Sequence, residues 1–160
     1  MFGAIGDGVN DDTEAFQTAL TTGRKVVASK NYLVDSISIQ NNDLELSGTI
    51  TGQIKLHNNA SVIGGTIKSI SDDVPCVIIE SNVSNVGQLN SILEKCDLKP
   101  SANGIGIKIV ADTNPLFNFT VRDINITSCD TSIKFYCTRW ITKSTFSNIY
   151  CHSPRVCIDF

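Results

Sequence analysis

Ile105-Gly106-Ile107-Lys108-Ile109 is the stretch on which the fold turns. Isoleucines alternate there with Gly and Lys, the period of a strand that buries one face. A step of 28 forward from its isoleucines lands on Ile133, Phe135 and Cys137, and the same step back lands on Val77 and Ile79. That step also carries Leu93 onto Val121, Cys96 onto Ile124 and Leu98 onto Ile126, while Ile67 stands 29 before Cys96. A last step of 23 to 25 carries Ile124 to Ile149, Ile126 to Cys151, Ile133 to Val156 and Phe135 to Ile158. Every partner is apolar, and Asn, Asp, Ser and Gly separate the blocks.

A period near 25 residues with two or three short strands in each is the signature of a coil. One coil cannot bury its own apolar face, but a stack of coils can. The expected fold is all-β, a right-handed single-stranded parallel β-helix in one domain over residues 1–160. Residues 1–23 form an opening segment with a capping helix, and 24–160 form the coils. A leucine-rich repeat has a similar period but requires Leu-x-x-Leu-x-Leu and a helical return, and neither is present. A β-sandwich alternates too, without apolar positions in register at a regular step. Lys108, Thr127, Lys134 and Tyr136 fall on outward positions.

One segment reads as a helix. Asp11 precedes Asp12-Thr13-Glu14, a carboxylate cap followed three residues later by Glu, which can reach back to the free N–H groups. Ala15, Phe16, Ala19 and Leu20 then share a face, and Gly23 stands where a C-terminal cap belongs. This amphipathic segment is expected to cover the first coil. The chain stops at Cys157-Ile158-Asp159-Phe160, in mid-coil and on apolar residues, so the expectation is a piece of a longer protein. The start Met1-Phe2-Gly3-Ala4-Ile5-Gly6-Asp7 shows no basic and apolar leader, so the expectation is either that export is not needed or that upstream residues are missing.

The 160 residues carry a formal net charge of −3, which argues against a nucleic-acid partner or an anionic membrane surface. No apolar run is long enough to cross a bilayer, so membrane insertion is not expected. Six cysteines, at 76, 96, 129, 137, 151 and 157, match no zinc or redox spacing. Several fall on inward positions of the repeat, so buried free thiols are favoured over disulfides. Asn59, Asn82, Asn118 and Asn125 open Asn-x-Ser/Thr triplets, read here as chance in a chain rich in Asn, Ser and Thr.

Phe2-Gly3-Ala4-Ile5-Gly6-Asp7-Gly8-Val9-Asn10-Asp11-Asp12-Thr13 resembles the opening motif of the pectate-lyase-like superfamily, Phe-Gly-Ala-Val-Gly-Asp-Gly-x-x-Asp-Asp-Thr. The resemblance covers about twelve residues, and Gly64-Gly65-Thr66-Ile67 adds a weaker likeness to a strand edge of such coils. It implies a short helix followed by a β-helix, and says nothing of the reaction. Two branches share the opening. Bacteriophage tailspikes, homotrimers on the virion tail that bind and often depolymerise capsule or O-antigen, are favoured. The rivals are a non-catalytic glycan-binding spike and a secreted hydrolase of the polygalacturonase type, whose Asn-Thr-Asp, Asp-Asp and Gly-His-Gly signatures are absent outside the opening motif. Physically, Gly3, Gly6 and Gly8 permit positive φ, and Asp7, Asp11 and Asp12 are expected to bind backbone amides rather than substrate or calcium.

Glycosidic cleavage needs two carboxylates about 5 to 10 Å apart. Asp112, Asp123 and Asp130 lie in the best-defined coils but read as turn residues. A lyase needs a base and a cation, for which Arg139, Lys143, Arg155, His57 and His152 are available, both histidines reading as solvated turn residues. No catalytic residue is assigned, and neither a metal site nor a cofactor is expected. Tyr136 and Trp140 are the candidate carbohydrate-binding residues, since an aromatic face pairs with the apolar face of a sugar.

Overall fold

The computed structural model describes residues 2–81, 89–127, 129–152 and 154–160. Its strands are parallel throughout and, apart from the separate pair Leu116–Phe117 and Ile141–Thr142, stack into three faces, here called sheets, which the chain visits in turn before starting the next coil. The first sheet runs from Val26–Ala28 through Asp43–Leu46, Ser61–Ile63 and Ile92–Glu94 to the leading halves of Thr120–Thr127 and Thr145–His152. The second begins with Asp7–Asp11 beside the start of Asn31–Ile39. It continues through the start of Thr49–Leu56, then Thr66–Lys68 and Asp97–Lys99, to the trailing halves of 120–127 and 145–152. The third stacks the ends of Asn31–Ile39 and Thr49–Leu56 on Val77–Glu80, Ile105–Ala111, Thr131–Cys137 and Val156–Asp159. The chain is therefore a parallel β-helix with one short helix, as the repeat and the opening segment imply.

The register corrects the repeat in detail. Leu93 does pair with Val121, Leu98 with Ile126, and Ile126 with Cys151. However, Val77 pairs with Ile107 rather than Ile105, and Ile107 rather than Ile105 pairs with Ile133. Likewise Ile67 pairs with Leu98 rather than Cys96, and Ile133 with Ile158 rather than Val156. Each error is a slip of two residues. Side chains alternate with a period of two, so such a slip keeps every apolar residue inward and leaves no trace in the pattern. Nor is the step regular. Eighteen residues separate Val26 from Leu44 and Leu44 from Val62, but 31 separate Val62 from Leu93. Additional residues of a longer coil are taken up in the connection 69–76, between Thr66–Lys68 and Val77–Glu80.

The corners are built from residues with left-handed backbone. Between the third and first sheets stand Asn41, Asn59, Asn90 and Asn118, with φ of 51°, 51°, 46° and 60°. Asparagine tolerates this region better than other residues that carry a Cβ, and its amide can bond along the stack. Asn59 Nδ2 donates to Asn41 Oδ1 at 3.0 Å, Asn90 Nδ2 to Asn59 Oδ1 at 3.2 Å, and Asn118 Nδ2 to Asn90 Oδ1. Between the first and second sheets the same task falls to Gly64 and Gly65, then Lys95, Asp123 and Asn148. A Cβ on Gly64 would lie 2.5 Å from the carbonyl oxygen of Leu46, so the corner has no room for a side chain. Two of the Asn-x-Ser/Thr asparagines, Asn59 and Asn118, thus spend their amides inside the ladder, while Asn82 lies outside the described residues.

The helix spans Thr13–Thr21 and buries Phe16, Ala19 and Leu20, with Ala15 partly covered. Phe16 meets Tyr32 edge-on at 4.7 Å. Polar side chains lock the helix to the coils. Gln17 accepts from the N–H of Ser38 at 2.9 Å and donates to its carbonyl at 3.0 Å, as a strand partner would. Asn42 Nδ2 donates to the carbonyl of Leu20 at 2.6 Å, closing the C-terminal end before Gly23 at φ +69°. The expected capping box is only half present. Asp11 does accept the N–H of Thr13 at 2.9 Å, whereas Glu14 makes no reciprocal bond among the described residues. Asp12, buried, instead turns back to the N–H groups of Ile5 at 2.7 Å and Gly6 at 3.1 Å. Asp7 accepts from Val9 and Asn10, each at 2.9 Å. The opening carboxylates therefore hold the chain's own amides.

Inward isoleucines, leucines and valines fill the space between the sheets, and most have no exposed surface. All six cysteines are free. Cys76, Cys96 and Cys129 are buried, and burial pushes the thiols of Cys76 and Cys96 up to about 12. The inward reading fails for Cys137, which pairs with buried Ala111 yet is exposed, and Cys157 is exposed too. Both lie in the last coils, where Phe135, Phe146, Ile149, Ile158 and Phe160 line an apolar cleft of about 620 Å³.

The asparagine ladder between the third and first sheets makes a testable statement. Asn59→Ala removes two stacked amide bonds and places a Cβ without compensation in the left-handed region, costing about 2–3 kcal/mol. Asn59→Gly relieves the backbone part and recovers about 1 kcal/mol. Urea midpoints of the three proteins check this ordering, and equal midpoints for the two variants would show that the backbone conformation is not what the asparagine serves.

Candidate functional site

Tyr136 and Trp140 are not brought together. Tyr136 points outward from the third sheet, with the ammonium of Lys108 5.6 Å from its ring centre. Trp140 lies in the connection that follows, exposed over 77% of its surface, and its carbonyl accepts the N–H of Leu116 at 2.9 Å. No ring contact joins the two among the described residues. Asp112, Asp123 and Asp130 of the later coils are spent on bonds to the next coil. Asp112 accepts the Thr138 hydroxyl at 2.9 Å, Asp123 accepts Asn148 Nδ2 at 2.7 Å, and Asp130 pairs with Arg155 at 2.5 Å. Lys143 occupies a corner at φ +53°, and the N–H of Arg139 is bonded to Ala111.

His57 departs from expectation. It is buried rather than solvated, with Nδ1 3.3 Å from the carbonyl of Glu80 and Nε2 4.0 Å from its carboxylate. It helps to line a cleft of about 430 Å³ beneath the end of the helix, together with Gln17, Ser38 and Asn41. The sheet directs its backbone: the N–H of His57 donates to Ile39 and its carbonyl accepts the Ser91 hydroxyl. The ring follows the strand Thr49–Leu56 into the corner, which is why a sequence position that looks like a turn ends up covered.

A different group of polar side chains is assembled on the outer face of the second sheet. Successive strands carry outward residues two apart, and register stacks them into two columns. One column runs Thr66, Asp97, Asn125, Tyr150. The other sets Lys68 beside Lys99 and Thr127 beside His152, with Lys99 and Thr127 each two residues past the register pair Asp97 and Asn125. Strands about 4.8 Å apart and residues about 3.3 Å apart along each strand make this array about 14 Å tall and 7 Å wide. The inward residues between the columns, Ile67, Leu98 and Ile126, are fully buried, so the array rests on packed core.

Part of the array is wired together. Asn125 Nδ2 donates to Asp97 Oδ1 at 3.3 Å, and His152 Nε2 lies 2.8 Å from Asn125 Oδ1. With its amide group turned to a carboxylate, Asn125 presents only an acceptor to the ring. His152 Nε2 is therefore the donor in this contact. Tyr150, 60% exposed, offers a ring beside it on the same face. Hydroxyl, amide, carboxylate, ammonium and imidazole groups on a flat rigid frame can hydrogen-bond a chain of hydroxyl-rich units and stack against one of them.

Sequence reasoning placed Thr127 outward and noted His152 only as a turn residue. Lys68, Asp97, Lys99, Asn125 and Tyr150 were missed, because steps of 31, 28 and 25 residues must be known before they align. Among the described residues no group of acids, histidines or cysteines is arranged to hold a metal, and no helix is long and apolar enough to cross a membrane. Comparisons with protein-family models, curated proteins and solved structures return no match for the chain.

His57 predicts a pH dependence. Burial, opposed in part by Glu80, holds its imidazole below the ordinary value of 6.5. The unfolded chain then takes up the proton first as pH falls, so this group's contribution is complete above pH 6.5 and is lost as pH drops through that value. The drop in urea midpoint between pH 7.5 and pH 5.5 should be smaller in His57→Asn than in the wild type. Equal drops would mean that the histidine is not protonated differently on unfolding.

Proposed function

We propose that the protein recognises a polysaccharide on a bacterial surface, in the manner of the β-helical tailspikes of the pectate-lyase-like superfamily. The observation that carries this is the two-column array on the second sheet: eight outward polar side chains, in register over four strands, on a face with a buried apolar backing. A polymer of hydroxyl-rich rings suits a long, flat, rigid surface with repeating hydrogen-bonding groups, where preorganisation lowers the entropy lost on binding. The opening motif supports the family reading, since its glycines take positive φ and its aspartates bind the amides that fold it against the coils. On the same proposal the protein acts as a homotrimer on the virion tail or outside the cell.

Cleavage is a second reading, and one observation favours it. The chain Asp97–Asn125–His152 holds an imidazole by its Nε2 on the same face as an exposed tyrosine. An imidazole held in position through one ring nitrogen is suited to proton transfer. Against a hydrolase that uses this chain's later acids, Asp112, Asp123 and Asp130 are each bonded to a side chain of the next coil.

Purified protein incubated with a panel of capsular and O-antigen polysaccharides tests both readings. Saturable binding that weakens about fivefold or more in Tyr150→Ala, the loss of roughly 1 kcal/mol of stacking, supports recognition at this face. New reducing ends, abolished in His152→Ala but not in Tyr136→Phe, support cleavage. Binding unaffected by any substitution in the array would move the site elsewhere, and no binding across the panel would remove the proposal.

A further inference from the structure

Cys76, Cys129, Cys151 and Cys157 lie where the chain passes from the second sheet to the third. Register stacks Cys76, Gly106, Ser132 and Cys157 at the start of the third sheet, each one residue before the inward column Val77, Ile107, Ile133 and Ile158. Across the corner, at the end of the second sheet, stands the column Leu98, Ile126 and Cys151. The two stacks face one another. A Cβ on Gly106 would lie 2.8 Å from Ile126 Cγ2, and one coil further on Ser132 bears on Cys151. The Cys157 thiol reaches that of Cys151 as well, and both line the apolar cleft at this end of the molecule.

The other thiols are occupied or apart. Cys129 is buried with its sulfur 3.4 Å from Ser132 Oγ, and Cys76 is buried completely. Cys96 sits at another corner, its sulfur 3.3 Å from the carbonyl oxygen of Gly64 and 3.2 Å from that of Glu94. Cys137 is exposed at the opposite end of its strand. Cys157 is exposed and Cys151 half-buried, so a reagent in solvent meets Cys157 first. Burial, opposed in part by Ser132 and reinforced by Cys157, holds the Cys151 thiol above its ordinary value. That suits it to follow as the second nucleophile once a sulfur has been activated beside it.

We propose that Cys151 and Cys157 form a reversible disulfide, a redox clasp that ties the second sheet to the third across their corner. The inference is independent of the glycan reading. Its chemistry is exchange with a small-molecule disulfide such as oxidised glutathione. The Cys157 thiolate attacks one sulfur of the reagent, forming a mixed disulfide and expelling one glutathione thiolate. Cys151 then gives up its proton and attacks the Cys157 sulfur. The Cys151–Cys157 bond forms, the mixed disulfide breaks, and the second glutathione leaves. The two protons lost by the cysteines end on the two glutathione thiolates, so two protein thiols are oxidised while one small disulfide is reduced. Among the described residues, Val156–Asp159 pairs along one edge only, with Thr131–Cys137. A covalent bond to the strand Thr145–His152 gives it a second anchor and narrows the freedom of the unfolded chain.

The test equilibrates the fully reduced protein in glutathione buffers that run from wholly reduced to wholly oxidised, traps the remaining thiols by alkylation and maps the peptides by mass spectrometry. A linkage between Cys151 and Cys157 is expected, reversed by dithiothreitol, with Cys76, Cys96 and Cys129 alkylated only after unfolding. The oxidised protein should melt about 3 °C or more above the reduced one. In Cys151→Ser the exchange should stop at a glutathione adduct on Cys157, and the gain in melting temperature should disappear. The mapping itself needs only the wild type, so it stands whether or not the variant folds. Glutathione that stays on Cys157 in the wild type, without the second bond closing, overturns the proposal. So does a protein that remains all-thiol in the most oxidised buffer, or one cross-linked through Cys137 or between chains instead. A linked form that melts no higher than the reduced one overturns the role of the bond as a clasp.

Discussion

Everything in this molecule depends on the stacking of equivalent residues at successive corners. A coil that closes on three sides must reverse its backbone sharply at the same place each time, and a residue in the left-handed region does so most compactly. Asn41, Asn59, Asn90 and Asn118 supply that conformation at one corner and bond to one another along the axis. Gly64, Gly65, Lys95, Asp123 and Asn148 supply it at another. Once corners coincide, the strands between them fall into parallel register and the inward side chains superpose, so Val62 meets Leu93 and Leu93 meets Val121. The core is a consequence of the corners as much as their cause.

The same constraint produces the outer faces. Register that stacks Ile67, Leu98 and Ile126 inside also stacks Thr66, Asp97 and Asn125 outside, at no further cost. A β-helix therefore makes ladders of whatever its outward positions contain. Some ladders compensate their own charge, as Glu94 with Arg122 and Lys134 with Asp159 do. Others, such as Asp97, Asn125 and His152, become short hydrogen-bonded chains that fix the orientation of the last member. Connections between sheets absorb the variation in coil length, which is why coils of 18 and 31 residues share one core.

The capping helix shows how an end is sealed with few residues. Three apolar side chains cover the first coil, but it is the polar ones that position the helix. Gln17 takes both backbone groups of Ser38, Asn42 takes the last carbonyl, and Asp12 gathers the amides of the opening segment. Without those bonds the edge of the third sheet and the end of the helix would each hold unpaired groups, and burying such groups is expensive.

By itself the sequence determined the class of the fold, the place of the helix and the inward positions of most aliphatic residues. Alternation and helical periodicity are local signals, and burial enforces them residue by residue. Tertiary structure alone decided which inward residues meet. A slip of two leaves the pattern of Ile105, Ile107 and Ile109 unchanged, and only the corner ladders select Ile107 as the partner of Val77. For that reason the polar array was illegible as well. Lys68 and Lys99, or Asn125 and His152, are ordinary surface residues until register sets them one above the other. His57 gives the converse lesson, since a residue that reads as a turn is covered by neighbours contributed from other coils. Position along the chain carries the propensities; position across it carries the charges and hydrogen bonds on which a binding face depends.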